Sequence, residues 1–266
     1  MVDTLIVCGD DGSVGADVAW GWINAQQWNG WPVDVVTGVY SVVHPDTSGA
    51  RELHEWSPPS ARHALAIADL GPIRFLTADE DPRLLLRDHA GEGLLVVGAR
   101  GAGGLEGMLM GSTSDWLMRD PKGPLVIVRD ASPVRSVVVA VDGSSDAMAA
   151  TQALSDMPWI SACTCEVVTV TDAGVNAQPL CDQAAEVLSR AGAAVSTRVL
   201  EVDAWHTGLS PATLILRHVH AVKPDLVVMG TQGRTGLARL WFGSVAGAVA
   251  QHAETNVMLC HAKAAS

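Results

Sequence analysis

The sequence predicts an α/β protein built of two tandem halves, each a doubly wound, mainly parallel sheet of five strands. Three observations predict it. Short, continuous runs of β-branched and apolar residues alternate with helix-forming stretches, the pattern of parallel strands covered on both faces. The chain repeats itself at the spacing of a whole domain. The composition, 48% hydrophobic and 17% charged over 266 residues, can fill the cores of two domains of ordinary size.

The repeat rests on three separated elements. Residues 94–112 (LLVVGARGAGGLEGMLMGS) and 226–244 (LVVMGTQGRTGLARLWFGS) share one pattern: an apolar run, Gly, two residues, Gly, nine residues, Gly-Ser. Gly98, Gly101, Gly111 and Ser112 carry it first, and Gly230, Gly233, Gly243 and Ser244 carry it again 132 residues on. Upstream, Asp11-Gly12-Ser13 is matched by Asp142-Gly143-Ser144 at an offset of 131. Downstream, PLVIV (124–128) is matched by NVMLC (256–260). The period is far longer than a solenoid repeat. The polar stretch 130–133, ending in Pro133 between two apolar runs, is the natural joint, giving domains 1–132 and 133–266.

Each element follows in order. In the second half VVVAVD is a strand, DAMAATQALSDM a helix and CEVVTV the next strand. A helix from about Pro179 to Ala194 leads to the strand STRVLEV. Ser210-Pro211 supplies an N-cap and a proline at the first helical position. PDLVVMG then runs into the glycine loop, a helix opens at Ser244, and NVMLC closes the sheet. The first half gives the same order, with Asp81-Pro82 opening the equivalent helix. Its segment 41–63, which contains Pro58-Pro59, is less regular than its counterpart. The result is a Rossmann-like arrangement in each half.

Charge and composition exclude several classes. A net charge of −12 with no Lys/Arg run opposes nucleic acid and anionic membrane as partners. No charge-free run of 18 apolar residues predicts a membrane helix, and the opening MVDTLIVCGDDG does not read as a signal peptide. Five cysteines, an odd count falling mostly in predicted strands, read as reduced thiols in the cytoplasm. Trp20, Trp22, Trp28 and Trp31 cluster around the first helix and read as core or interface packing. His218 and His220 lie two apart on a predicted helix and point to different faces, which argues against a joint metal site.

The glycine pattern carries the chemistry. In open α/β sheets ligands bind beyond the carboxyl ends of the strands. Glycines there let backbone approach a phosphate, and a helix opening at Gly-Ser offers free N–H groups to an anion. The same glycines also serve a tight turn and a helix–strand contact, but two copies with one spacing, each paired with Asp-Gly-Ser after the first strand, favour a nucleotide. There is no Walker A lysine, no Gly-x-Ser-x-Gly elbow and no acid–base pair at catalytic spacing, so a binder is expected before an enzyme.

Gly-x2-Gly-x9-Gly-Ser between a strand and a helix resembles the ATP-binding motif of universal stress proteins, and the resemblance extends over essentially the whole chain as two tandem family domains. It implies an adenine-nucleotide hydrolase-like fold and ATP held across the switch point, accompanied by Mg²⁺ or Mn²⁺. Asp11 and Asp142, with Val39 and Val170 at the end of strand two, would contact the base. The glycine loops with Ser112 and Ser244 would hold phosphates, and Thr113 and Val245 would line the site. It also implies pairing through the last strands, here within one chain as a pseudo-dimer, and a homodimer with a protein partner that the sequence does not identify. A nucleotide-dependent stress-response switch with little or no ATPase activity is the reading this supports. A nucleotide-free interaction scaffold and an ATP-dependent enzyme of the same fold are the alternatives. Asp10, an extra carboxylate beside Asp11 where the second half has Val141, predicts that the second site binds ATP more tightly.

Overall fold

The computed structural model describes residues 3–38, 54–55, 69–101, 110–172, 174–202, 209–233 and 242–262. The first half runs β1 (Asp3–Gly9), α1 (Val14–Ala25), β2 (Val33–Gly38), β3 (His54–Glu55), β4 (Ile73–Ala78), α2 (Pro82–Ala90), β5 (Gly93–Gly98), α3 (Ser112–Leu117) and β6 (Leu125–Val128). The second runs β7 (Ser136–Ala140), α4 (Ser145–Ser155), β8 (Thr164–Asp172), α5 (Gln178–Arg190), β9 (Ala194–Val202), α6 (Pro211–Val222), β10 (Leu226–Gly230), α7 (Ser244–His252) and β11 (Asn256–Cys260).

Among the described residues eleven strands form one sheet in the order β3-β4-β2-β1-β5-β6-β11-β10-β7-β8-β9. Within each half the principal strands run parallel in the order third, second, first, fourth, fifth. The chain therefore reverses direction of winding between β1 and β5, and again between β7 and β10. The halves join where β6 and β11 pair antiparallel, Leu125 opposite Leu259, Val126 opposite Met258 and Ile127 opposite Val257. All six residues are buried, so each half covers the edge the other would expose. Antiparallel pairing of the last strands was the expectation, and β6 and β11 meet in that way. That pairing makes the two five-stranded halves one continuous sheet, and the first half adds β3 antiparallel to β4 inside the irregular segment.

Local chemistry sets the helix starts. Gly12 and Gly143 adopt positive φ (74° and 82°), turning the chain out of β1 and β7. Ser13 and Ser144 then cap α1 and α4 by accepting from the N–H groups of Ala16 and Ala147. Asp81 and Ser210 cap α2 and α6, each ahead of a proline.

Two apolar layers flank the sheet. One packs α1, α4 and α5 and runs unbroken across both halves. At its centre, Trp159 of the second half stands edge-on to Trp22 and Trp28 of the first, each at 6.4 Å between ring centroids. The four tryptophans around α1 are thus buried packing groups, and Trp22 and Trp28 join the halves. Gln26, also buried, accepts from the Val134 N–H through Oε1 and donates through Nε2 to the Trp22 carbonyl, tying α1 to the joint. All five cysteines are buried and free. Burial pushes Cys163 up to about 11 and Cys165 up to about 12, in Cys165 with the neighbouring Cys163 adding to it.

Each half also carries a clasp at the end of the sheet away from the switch point. Asp34, fully buried, sits opposite Arg74 in the β2/β4 register and takes hydrogen bonds from its guanidinium at 2.7 and 2.6 Å. His89 near the end of α2 meets the same carboxylate at 2.8 Å. In the second half Glu166 of β8 is held by Arg198 of β9 at 2.6 Å and by His218 of α6 at 2.7 Å. The clasps pin the far ends of α2 and α6 to the sheet, while their first turns reach the clefts described next. His220 is exposed on another face of α6, as the two-residue spacing requires.

Candidate functional site

Each switch point opens into a cleft. The second, of about 230 Å³, is lined by Asp142 and Ser144 after β7, Val168 to Val170 at the end of β8, Pro211 and Ile215 of α6, Met229 to Gly233 from β10 into the loop, and Gly243 to Ala246 at the start of α7. All seven residues singled out in this half, Asp142, Val170, Gly230, Gly233, Gly243, Ser244 and Val245, are among them. The first cleft, of about 310 Å³, gathers Asp11, Gly98, Gly101, Gly111, Ser112 and Thr113, together with Asp10, Gly38, Pro82, Leu86 and Arg100. Val39 lies outside the described residues. Pairing Val36 with Gly9 and Val168 with Ala140 sets the halves 132 apart in strand two, so Gly38 occupies the position of Val170.

The loops are pinned at the base. The Gly111 N–H donates to the Ala99 carbonyl and the Gly243 N–H to the Thr231 carbonyl, each at 2.8 Å. Gly111 and Gly243 are the N-caps of α3 and α7, and neither has a side-chain cap. The N–H groups of the first turn have no intrahelical acceptor; in α7 these belong to Ser244, Val245 and Ala246, all lining the cleft. A backbone with several N–H groups and a helix dipole directed at one space suits an anion.

The glycines divide into two roles. A Cβ on Gly98 would lie 2.3 Å from the Gly15 carbonyl oxygen, and one on Gly230 would lie 2.6 Å from the Ala147 nitrogen and the Asp146 carbonyl carbon. These two let the first helix of each half pack on the strand end, the helix–strand contact that the motif allows, and both also line their clefts. Gly101 and Gly233 are different. A Cβ there would meet Oδ2 of Asp11 at 2.5 Å or of Asp142 at 2.9 Å, so each aspartate lies over the start of its loop. The other oxygen, Oδ1, accepts from the Ser13 or Ser144 N–H at 3.0 or 2.9 Å. The aspartates are thus fixed at the mouth of each cleft.

The extra carboxylate of the first cleft is matched by an extra cation. Asp10 accepts from the Gly12 N–H at 2.8 Å, and Arg100 lines the same cleft where the second has Gln232. Among the described lining residues each cleft therefore sums to one negative charge. The difference is one of surface: Val170, Ile215 and Met229 stand where the first cleft has Gly38, Leu86 and Val97. Pattern reading did not reach the contributions of α2 and α6. The Asp-Pro and Ser-Pro starts mark where those helices begin, but only the fold brings Pro82 and Pro211 to the clefts.

Two clefts of one construction, each at a switch point and backed by a glycine loop leading into an uncapped helix, define the class: a tandem doubly wound α/β protein with an anion-suited cleft in each half. The chain belongs to the universal stress protein family, whose model matches residues 4–129 and 133–261. It is 31% identical over 182 residues to a universal stress protein of Mycobacterium tuberculosis, a match covering 62% of this chain and 60% of that relative's length. It is 28% identical over 236 residues to one from Mycolicibacterium smegmatis, covering 77% and 78% of the two chains. Among solved structures, a universal stress protein from Archaeoglobus fulgidus superposes with a TM-score of 0.66 at 16% identity, covering 97% of this chain and 96% of that one. At this identity the likeness is one of fold.

Proposed function

We propose that the protein is an adenine-nucleotide-binding member of its family, in which occupancy of the clefts by ATP, rather than its turnover, is the functional output. The observation that carries this reading is the second cleft: a strand-end aspartate, an apolar wall and an uncapped helix N-terminus converge on one space. Val170, Ile215 and Met229 offer a planar base an apolar surface. Asp142 faces the side of the cleft where a ribose or base edge would lie. Ser244, Val245 and Ala246 present N–H groups to phosphate oxygens.

The residues present fit ATP, and they bear on a metal as well. Among the described residues no group of three His, Cys, Asp or Glu side chains could hold a metal. Mg²⁺ or Mn²⁺ would therefore enter on the phosphates, neutralising charge that no basic cluster offsets. Asp142 is the only ionisable side chain among the described residues lining the second cleft, and its Oδ1 is engaged by the Ser144 N–H. A side chain so engaged is poorly placed to activate water, which supports a binder or switch over an enzyme. A switch further requires that two states of the protein differ in ATP affinity. The side chain that Val170 adds where the first cleft has Gly38 supports tighter binding in the second.

Substitution at the second helical position tests the assignment. Val245→Asp and Thr113→Asp each place a carboxylate in the first turn of a helix, where it favours the helix by about 0.3–1 kcal/mol but repels phosphate. Calorimetric titration with Mg-ATP should lose the tighter binding event in Val245→Asp and the weaker one in Thr113→Asp; the melting temperature should hold or rise in Thr113→Asp and fall in Val245→Asp, whose valine packs partly against the core. Unaltered binding in both variants would place any nucleotide elsewhere. Absence of binding in the parent protein would favour an interaction scaffold.

A further inference from the structure

Asp146 is a carboxylate in an unusual place. It lies in the first turn of α4, is 4% exposed, and accepts four hydrogen bonds. Oδ2 takes the Thr231 hydroxyl at 2.7 Å and the Gln232 N–H at 2.9 Å, the two residues that open the second glycine loop. The same oxygen meets Nδ1 of His261 at 2.9 Å, and Oδ1 takes the Ala262 N–H at 3.0 Å. One side chain thus ties the loop wall of the second cleft to the segment that follows β11. His261 Nδ1 also lies 3.0 Å from the Thr231 hydroxyl oxygen. An ionised carboxylate only accepts, so Nδ1 carries the proton and can be shared between both oxygens.

The described residues of the first half hold no such cluster. The positions of Asp146, Thr231, Gln232 and His261 are held there by Gly15, Ala99, Arg100 and Arg129. The Arg100 carbonyl sits where a Cβ on Gly15 would be, and Arg129 turns away to the Ala250 and Thr255 carbonyls. Backbone rests on backbone in one half, and a buried carboxylate has been inserted in the other.

We propose that Asp146 and His261 form a positioning pair for the second cleft, in which protonation of His261 steadies the opening of the glycine loop and raises that cleft's affinity for its nucleotide. Two effects act in one direction. An imidazolium makes a charge-assisted hydrogen bond that fixes Asp146 against the loop. It also offsets a carboxylate charge located behind a site for polyphosphate. His261 is 40% exposed along its side chain, so solvent protons reach it. The groups around it are Asp146 of α4, the Thr231 hydroxyl, and Glu92, Asp120 and Lys122 of the first half, which line the same concavity. Asp120 and Lys122 are themselves paired with Arg87 and Asp88. Burial and the adjacent Asp146 push the Cys260 thiol far up, so it stays neutral.

The proposal rests on the nucleotide reading of the second cleft, and its test separates the two. The protein is taken as Thr113→Asp, to silence the first cleft, with and without His261→Asn. Asparagine offers a neutral donor near the place of Nδ1, so the bond survives and the titration does not. Mg-ATP affinity should rise by roughly threefold to tenfold from about pH 8.5 to about pH 5.5, the gain expected of a hydrogen bond that acquires charge, and His261→Asn should flatten that rise. In nucleotide-free protein, amide exchange at Gln232, corrected for its intrinsic pH dependence, should slow over the same range and lose that trend in His261→Asn. A second variant, Asp146→Ala, removes the acceptor and should expose the Gln232 amide at every pH. Equal pH profiles in parent and His261→Asn, for affinity or for Gln232 exchange, would overturn the proposal. If no nucleotide binds at any pH, the nucleotide reading fails, and the exchange data alone decide whether the pair positions the loop.

Discussion

Replacing Gly230 and Gly233 separately by alanine should divide stability from binding. At Gly230 the new methyl would lie 2.6 Å from the backbone of Asp146 and Ala147. Those atoms belong to α4, which is capped at Ser144 and packed on β10, so they cannot swing aside. Overpacking of this kind costs about 1–3 kcal/mol. For a cooperative unit of this size a loss near 2 kcal/mol lowers Tm by roughly 4–8 °C. At Gly233 the methyl would meet only Oδ2 of Asp142 among the described residues, at 2.9 Å. A carboxylate at the end of a rotatable side chain can move away, so stability should change by no more than about 0.5 kcal/mol. The displaced Asp142 and the filled loop backbone should instead weaken Mg-ATP binding. The assay is a thermal melt of nucleotide-free protein followed by a Mg-ATP titration of each variant. A Gly230→Ala protein that melts like the parent, or a Gly233→Ala protein that is the less stable of the two, would refute the division of roles.

Other expectations follow from single contacts. Burial raises the Asp34 and Glu166 carboxyls, but hydrogen bonds from His89 and Arg74, and from Arg198 and His218, outweigh it and hold both below their ordinary values of 3.8 and 4.5. The unfolded chain therefore binds these protons more readily, and the clasps stabilise fully above those values and progressively less as pH falls beneath them. Urea melts at about pH 3 and about pH 6 should show a smaller stability difference in Asp34→Asn than in the parent. Trp159→Ala removes the ring that meets Trp22 and Trp28 and should cost about 3–5 kcal/mol, seen in denaturant unfolding followed by the fluorescence of the remaining tryptophans. Gln26→Ala leaves the buried Val134 N–H without its Oε1 acceptor and should cost about 1–3 kcal/mol, measured in the same way.

What the chain reveals in advance depends on the range of the interaction. Strands, helix starts and the loop are local: Ser210-Pro211 marks α6 and Gly243-Ser244 marks α7 because capping and backbone freedom act over a few residues. The duplication made the switch points legible too, since two matched loops after matched strands leave few ways to wind the sheet. The clasps were hidden because Asp34, Arg74 and His89 meet only through the β2/β4 register and the docking of α2. Their traces are faint, an acid, an arginine and a histidine recurring at Glu166, Arg198 and His218 with unequal offsets. Asp146 gave no signal, because its counterpart is Gly15 and a repeat draws attention to what the halves share. The packing role of Gly98 and Gly230 was only half legible for a related reason. The motif shows that a side chain is excluded, but only the packed helix shows what excludes it.

The most direct test of the account is to denature freshly purified protein, separate the released small molecules by chromatography, and quantify adenine nucleotide per chain. Between one and two nucleotides per chain are predicted, with a value near one if the second cleft binds much the more tightly. Finding none, together with no change in Tm on adding Mg-ATP, would contradict the account and leave the two loops as elements of packing alone.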